Sequence, residues 1–201
     1  MDKLYFEYGK KEIDYLSKKD KKLGAAIEQI GHIKREVRPD VFTALVKSVV
    51  SQQISTKAAD TVWARLNEKC EITANNLYDM SLEDVQSCGM SMRKAEYIKN
   101  IAAAGVHKMV DFDALVHMDD QEVIEELTTL KGVGVWTVEM LLTFSLCRPN
   151  IVSYGDLAIR RGMMLLYGHN ELPKERFERY AKRYAPYGSV ASFYLWEISA
   201  L

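Results

Sequence analysis

The sequence predicts an all-α fold of about ten short helices joined by brief connections. Three observations predict it. Apolar residues recur at helical spacing almost throughout the chain. Capping residues stand just ahead of those stripes. No run alternates with period two, and hairpin dipeptides such as Asn-Gly are absent.

Each element follows from a local pattern. Phe42, Leu45, Val46, Val49 and Val50 fall at i, i+3, i+4, i+7 and i+8, one stripe of an amphipathic helix with Asp40 as its N-cap. Ala59, Val62, Trp63 and Leu66 form a second stripe opened by Ser55. Ser81 with Asp84, and Asp119 with Glu122, read as capping pairs of short helices. Ser91 caps a helix through Ala95, Ile98 and Ala102, and Val138, Leu141, Leu142 and Ser145 mark another beginning near Val135. Pro173 suits the first turn of a helix over Lys174–Tyr184, and Gly188 with Ser189 opens a last one ending near Trp196. The run Lys18-Lys19-Asp20-Lys21-Lys22 reads as a solvated helix end.

Composition narrows the function classes. The 201 residues suffice for one good core or two small lobes. No stretch is apolar enough to span a bilayer, and the first residues carry no apolar signal core, so a cytoplasmic protein is expected. Cys70, Cys88 and Cys147 are an odd, scattered set, which excludes a disulfide framework and a four-cysteine cluster and fits a reducing compartment. A net charge of −1 argues against a protein that coats DNA non-specifically, but not against one that grips a few phosphates through backbone amides.

The segment Leu130-Lys131-Gly132-Val133-Gly134-Val135-Trp136-Thr137 lies between two helical patterns. Two glycines one residue apart allow a tight turn with positive φ and close approach of a partner. The free N–H groups of the following helix then make an anion site. The alternative is a helix–turn–helix corner that needs glycine only for packing. A nucleotide-cofactor loop fits worse, since no strand precedes the glycines and no P-loop lysine follows them.

With Ser153-Tyr154-Gly155-Asp156-Leu157-Ala158 further along, the Leu-x-Gly-Val-Gly-x-x-Thr segment resembles the helix-hairpin-helix (HhH-GPD) DNA glycosylase superfamily. Ser51-Gln52-Gln53-Ile54-Ser55 is similar to that family's DNA-wedge segment, and Gly89 to Ile98 to another family segment, all in the family's order. The resemblance implies two helical lobes with a cleft between them: about 40–147 in one, about 1–39 with 148–201 in the other. It makes Asp156 the catalytic carboxylate, although Asp156 also reads as an N-cap of its own helix. It implies Gln53 as the wedge, phosphate contacts from Gly132, Gly134 and Thr137, and a monovalent cation on the main-chain carbonyls of Thr128, Leu130 and Val133. No cofactor is required. The extra N-terminal mixed α/β domain of some relatives is not expected.

Position 136 narrows the subtype. Bifunctional members carry a nucleophilic lysine there, whereas this chain has Trp136, and Lys131 lies on the other side of the turn. The iron–sulfur cysteines of endonuclease III-type members are absent. Trp136 with Glu139-Met140, and Pro186-Tyr187-Gly188-Ser189 before Trp196, resemble the 3-methyladenine DNA glycosylase II type. Trp136, Trp196, Gln52, Met140 and Tyr154 are then the base-pocket residues, though burial in a core explains a single tryptophan equally well, and Trp63 is read that way. Glutamine replaces the leucine wedge of some relatives, and Met140 a pocket tyrosine, which leaves the damage preference open. The implied activity is hydrolysis of the N-glycosidic bond of an alkylated purine in double-stranded DNA, by a monomer with no lyase step. A glycosylase for hypoxanthine or an oxidised base, and a non-catalytic DNA-binding module, are the alternatives.

Overall fold

The computed structural model describes residues 3–201. Twelve α-helices occur among them: α1 Lys10–Lys19, α2 Lys21–Ile30, α3 Val41–Ser51, α4 Thr56–Lys69, α5 Ala74–Asp79, α6 Leu82–Gln86, α7 Met92–Val106, α8 Asp120–Thr128, α9 Val135–Phe144, α10 Leu157–Tyr167, α11 Lys174–Tyr184 and α12 Gly188–Ala200. A single 3-10 turn covers Ala114–His117. One short antiparallel pairing, β1 Leu4–Tyr5 with β2 Glu36–Val37, was not expected; strands of two residues are too short to leave an alternating signature. No helix among the described residues is long and apolar enough to cross a membrane. The chain divides into two compact units, Arg38–Leu141 and the N-terminal segment through Val37 with Leu142–Leu201.

In the first unit the stripe of α3 is buried as its spacing requires: Phe42, Leu45, Val46, Val49 and Val50 all lie in the core. The caps behave as read from the sequence. Asp40 accepts from the Thr43 amide, Ser55 from Ala58, Ser91 from Lys94, and Asp119 with Glu122 closes a full capping box. Such caps stabilise a helix by about 1 kcal/mol each. The longest helix of this unit, α7, packs against α3, α5 and α6 and buries Ala95, Ile98, Ile101, Ala102 and Ala104. Trp63 is half-buried on α4, with the Lys47 ammonium 5.4 Å from its ring centre.

In the second unit α10 and α12 are packed backbone to backbone. A Cβ at Gly162 would lie 2.0 Å from the Leu195 carbonyl oxygen, so only glycine permits this approach. Two boundaries differ from expectation. Pro173 stands at the N-cap of α11 and not within its first turn. Helix α12 runs on to Ala200, because Ile198 continues its buried stripe and no breaker follows Trp196. The lysine run also holds a surprise. Its four lysines are exposed, but Asp20 among them is only 3% exposed and caps α2 through the amides of Lys22 and Leu23.

Candidate active site

The hairpin begins where α8 ends. The Val133 amide donates to the Leu130 carbonyl at 3.1 Å, closing a turn in which Gly132 takes φ +84°. Only this glycine of the pair has positive φ; Gly134 does not, and nothing lies within 4 Å of where its Cβ would be. Gly134 instead precedes α9, its carbonyl accepting from Val138 at 3.2 Å, and it is exposed. It adds no side chain at the start of α9, the helix end whose dipole favours an anion.

Gly132 has a steric reason as well. A Cβ there would meet the Tyr97 ring of α7 at 2.1 Å. Gly132→Ala therefore combines a left-handed backbone with a clash. We expect a loss of about 1–3 kcal/mol of stability. Denaturant melts check it; an unchanged melt would contradict the packing described.

Around the hairpin the other expected residues take distinct places. Trp136, in the first turn of α9, is 45% exposed. Met140 lies one turn along on the same side and is half-buried. Thr137, also in the first turn of α9, is buried. The Gln52 side-chain amide donates to the Gly132 carbonyl at 2.9 Å. Gln53, next in the α3–α4 loop, is exposed and has φ +56°, a conformation that side chains other than glycine rarely adopt. Sequence reasoning missed Lys94. Its ammonium donates to the carbonyls of Val50 and Gln52 at 2.8 and 2.5 Å, and burial pulls its pKa below the usual lysine value.

Thr128, Leu130 and Val133 place three main-chain oxygens at and just after the C-terminus of α8, the negative end of its dipole. Neutral oxygens at such a point fit a monovalent cation. No cluster of three metal-binding side chains occurs among the described residues.

In the second unit Asp156 is 7% exposed and caps α10. Its Oδ1 accepts from the amides of Ala158 and Ile159, both at 2.9 Å, and from the Trp196 indole N–H at 3.1 Å. Three N–H donors on one oxygen fix the carboxylate's orientation. Trp196 is itself held: Phe144 stacks at 5.5 Å between ring centres, and the Arg35 guanidinium, paired with Glu197 at 2.5 Å, lies 5.9 Å from the indole. Tyr154 packs edge-on against Phe177 at 5.1 Å and carries Arg160 over its face at 5.0 Å. A buried, oriented carboxylate beside an indole is suited to stabilising a developing cation and to accepting a proton from water.

A glycine turn that feeds the N-terminus of a helix, in an all-α chain, is the arrangement of a helix-hairpin-helix motif. The chain belongs to the HhH-GPD superfamily of base excision DNA repair proteins, whose family model matches residues 46–186. It is 34% identical over 170 residues to DNA-3-methyladenine glycosylase 1 of Schizosaccharomyces pombe, covering 82% of this chain and 75% of that one. Among solved structures it is similar to the DNA-3-methyladenine glycosidase of Bacillus halodurans, with a TM-score of 0.86 and 34% identity over 99% of this chain and 93% of that chain. It is also similar to the 3-methyladenine DNA glycosylase of S. pombe in complex with abasic DNA, with a TM-score of 0.84 and 31% identity over 96% and 98% of the two chains.

Proposed function

We propose that this chain is a monofunctional DNA glycosylase that releases alkylated purines, of the 3-methyladenine and 7-methylguanine kind, from double-stranded DNA. The observation that carries the reading is Asp156, held by three N–H donors beside Trp196. The names of the relatives support the same class of lesion.

Alkylation at N3 or N7 leaves the purine positively charged, so the base departs readily. As the N-glycosidic bond breaks, its electron pair goes to the base and neutralises it. Positive charge then develops on the sugar, where Asp156 stabilises it. Water forms the new bond to C1′ and gives its proton to Asp156, leaving an abasic site and a free base. The exposed indole of Trp136 offers an electron-rich face to the cationic base, worth ~0.5–2 kcal/mol. Gln52, Met140 and Tyr154 are assigned to the base, Gln53 to the gap left in the stack, and Gly132, Gly134 and the first turn of α9 to a phosphate. A monovalent cation, held by the carbonyls of Thr128, Leu130 and Val133, would add charge there and take no part in the chemistry. The enzyme works as a monomer in the cytoplasm, at the nucleoid in a prokaryotic cell.

The test is incubation with methylated duplex DNA. Free 3-methyladenine or 7-methylguanine should appear, with strands that break only after alkali and no adduct trapped by borohydride. Release of hypoxanthine or an oxidised base alone would move the chain to another lesion. Strand cleavage without alkali would overturn the monofunctional reading.

A further inference from the structure

Lys94 stands where helix electrostatics disfavour it. It is the third residue of α7, its own amide donating to the cap Ser91, so its charge faces the positive end of the helix dipole. Its ammonium is nevertheless half-buried and directed at a different helix end. Val50 and Gln52, whose carbonyls it binds, lie at the C-terminus of α3, where carbonyls lack intrahelical partners and the dipole favours a cation. Three residues along, Tyr97 shares that face of α7 and presses its ring against Gly132. The Gln52 side chain then bonds the Gly132 carbonyl and closes the triangle.

One face of α7 thus holds two loops separated by about eighty residues of chain: that of Gln52 and Gln53, and the 130–134 hairpin. Both belong to the Arg38–Leu141 unit. The strained φ of Gln53 directly follows the carbonyl that Lys94 binds, so the anchor sits beside the residue that needs it.

We propose that Lys94 is a positioning residue for lesion opening. With Tyr97 it presets the wedge loop against the hairpin before DNA arrives, so that no loop ordering opposes insertion of Gln53. Preorganised loops avoid the entropic loss that flexible ones incur on binding. The inference rests on the proposed reading of Gln53 as the wedge, and deepens it by naming what holds the wedge in place.

The discriminating comparison uses one methylated purine in two contexts, a matched duplex and a short unpaired bubble. In the bubble the base is already unstacked, so a wedge has little to do. Lys94→Met should slow single-turnover excision from the matched duplex by roughly 10- to 100-fold, the scale of a small misplacement, while excision from the bubble stays close to wild type. Lys94→Gln, which keeps an N–H donor, should shift the same ratio in the same direction by less, and Lys94→Arg should recover most of the loss. Equal losses on both substrates in Lys94→Met and Lys94→Gln, or no loss on either, would overturn the proposal. Gln53→Ala is measured alongside. If it excises from the matched duplex at the wild-type rate while Lys94→Met does not, the wedge reading fails on its own and the two failures are told apart.

Discussion

Asp156→Asn should excise methylated purines about 10³-fold more slowly than the wild type while folding and binding abasic DNA normally. The size follows from charge. A carboxylate about 4 Å from a unit positive charge contributes about 4 kcal/mol at an effective dielectric of 20, and every 1.36 kcal/mol is tenfold in rate. The specificity of the effect follows from the geometry around Oδ1. Its three partners, the amides of Ala158 and Ile159 and the Trp196 indole, all donate. An asparagine must therefore turn its carbonyl oxygen toward them, which preserves the cap of α10 and the contact with Trp196. What is lost is the negative charge. Single-turnover release of 3-methyladenine measures the chemical step, and a titration with abasic duplex measures binding apart from it. A rate within tenfold of the wild type would remove Asp156 from the mechanism. An equal fall in binding and rate would show that its role is the cap.

The parts of this fold legible in the sequence are those set within a few residues. The stripe from Phe42 to Val50 and the caps at Asp40, Ser55, Ser91 and Asp119 depend only on helical spacing and on a side chain reaching its own helix end. Asp156 as a cap of α10 is local in the same sense, whereas its bond to Trp196 joins residues forty positions apart and leaves no trace in either neighbourhood. The same holds for Lys94. The available signal was its sign: Arg93 and Lys94 occupy the first turn of α7, where a helix prefers acids, and a misplaced charge invites a search for a distant carbonyl. The glycines of the hairpin were legible as a pair but not in their division of labour. Gly132 alone takes positive φ, and it is also the one whose Cβ would meet Tyr97, more than thirty residues away.

Asp20→Ala should destabilise the protein by about 2–4 kcal/mol at neutral pH, near the lower end of what breaking a buried ion pair costs. Asp20 looks like one more charge in a solvated lysine run, yet it is the buried centre of a network. Its Oδ1 caps α2, and its Oδ2 accepts from the Tyr167 hydroxyl and the Arg183 guanidinium, both at 2.6 Å. Tyr167 bonds Tyr184 in turn at 2.8 Å, and burial, with the neighbouring Tyr184 and Asp20, pushes the Tyr167 phenol far above its usual range. Arg183 is half-exposed and can turn to water when its partner is removed, which keeps the loss below that of a fully buried pair. Burial alone would raise the Asp20 pKa. The donors Tyr167, the Leu23 amide and Arg183 outweigh it, so the carboxyl stays below its ordinary value in the folded chain. A depressed native pKa means that Asp20 stabilises the fold fully above the unfolded value, about 3.9, and progressively less as pH falls through the native value. Asp20→Asn keeps the cap acceptor on α2 but removes the charge and puts an amide NH2, which cannot accept, where Oδ2 received Tyr167 and Arg183. Its deficit against wild type should therefore be smaller than that of Asp20→Ala at pH 7. It should narrow in denaturant melts carried below about pH 4, as pH falls toward the depressed native value at which the folded wild type loses the charge too. A deficit that stayed constant with pH would assign Asp20 to capping alone and leave Tyr167 and Arg183 as bystanders.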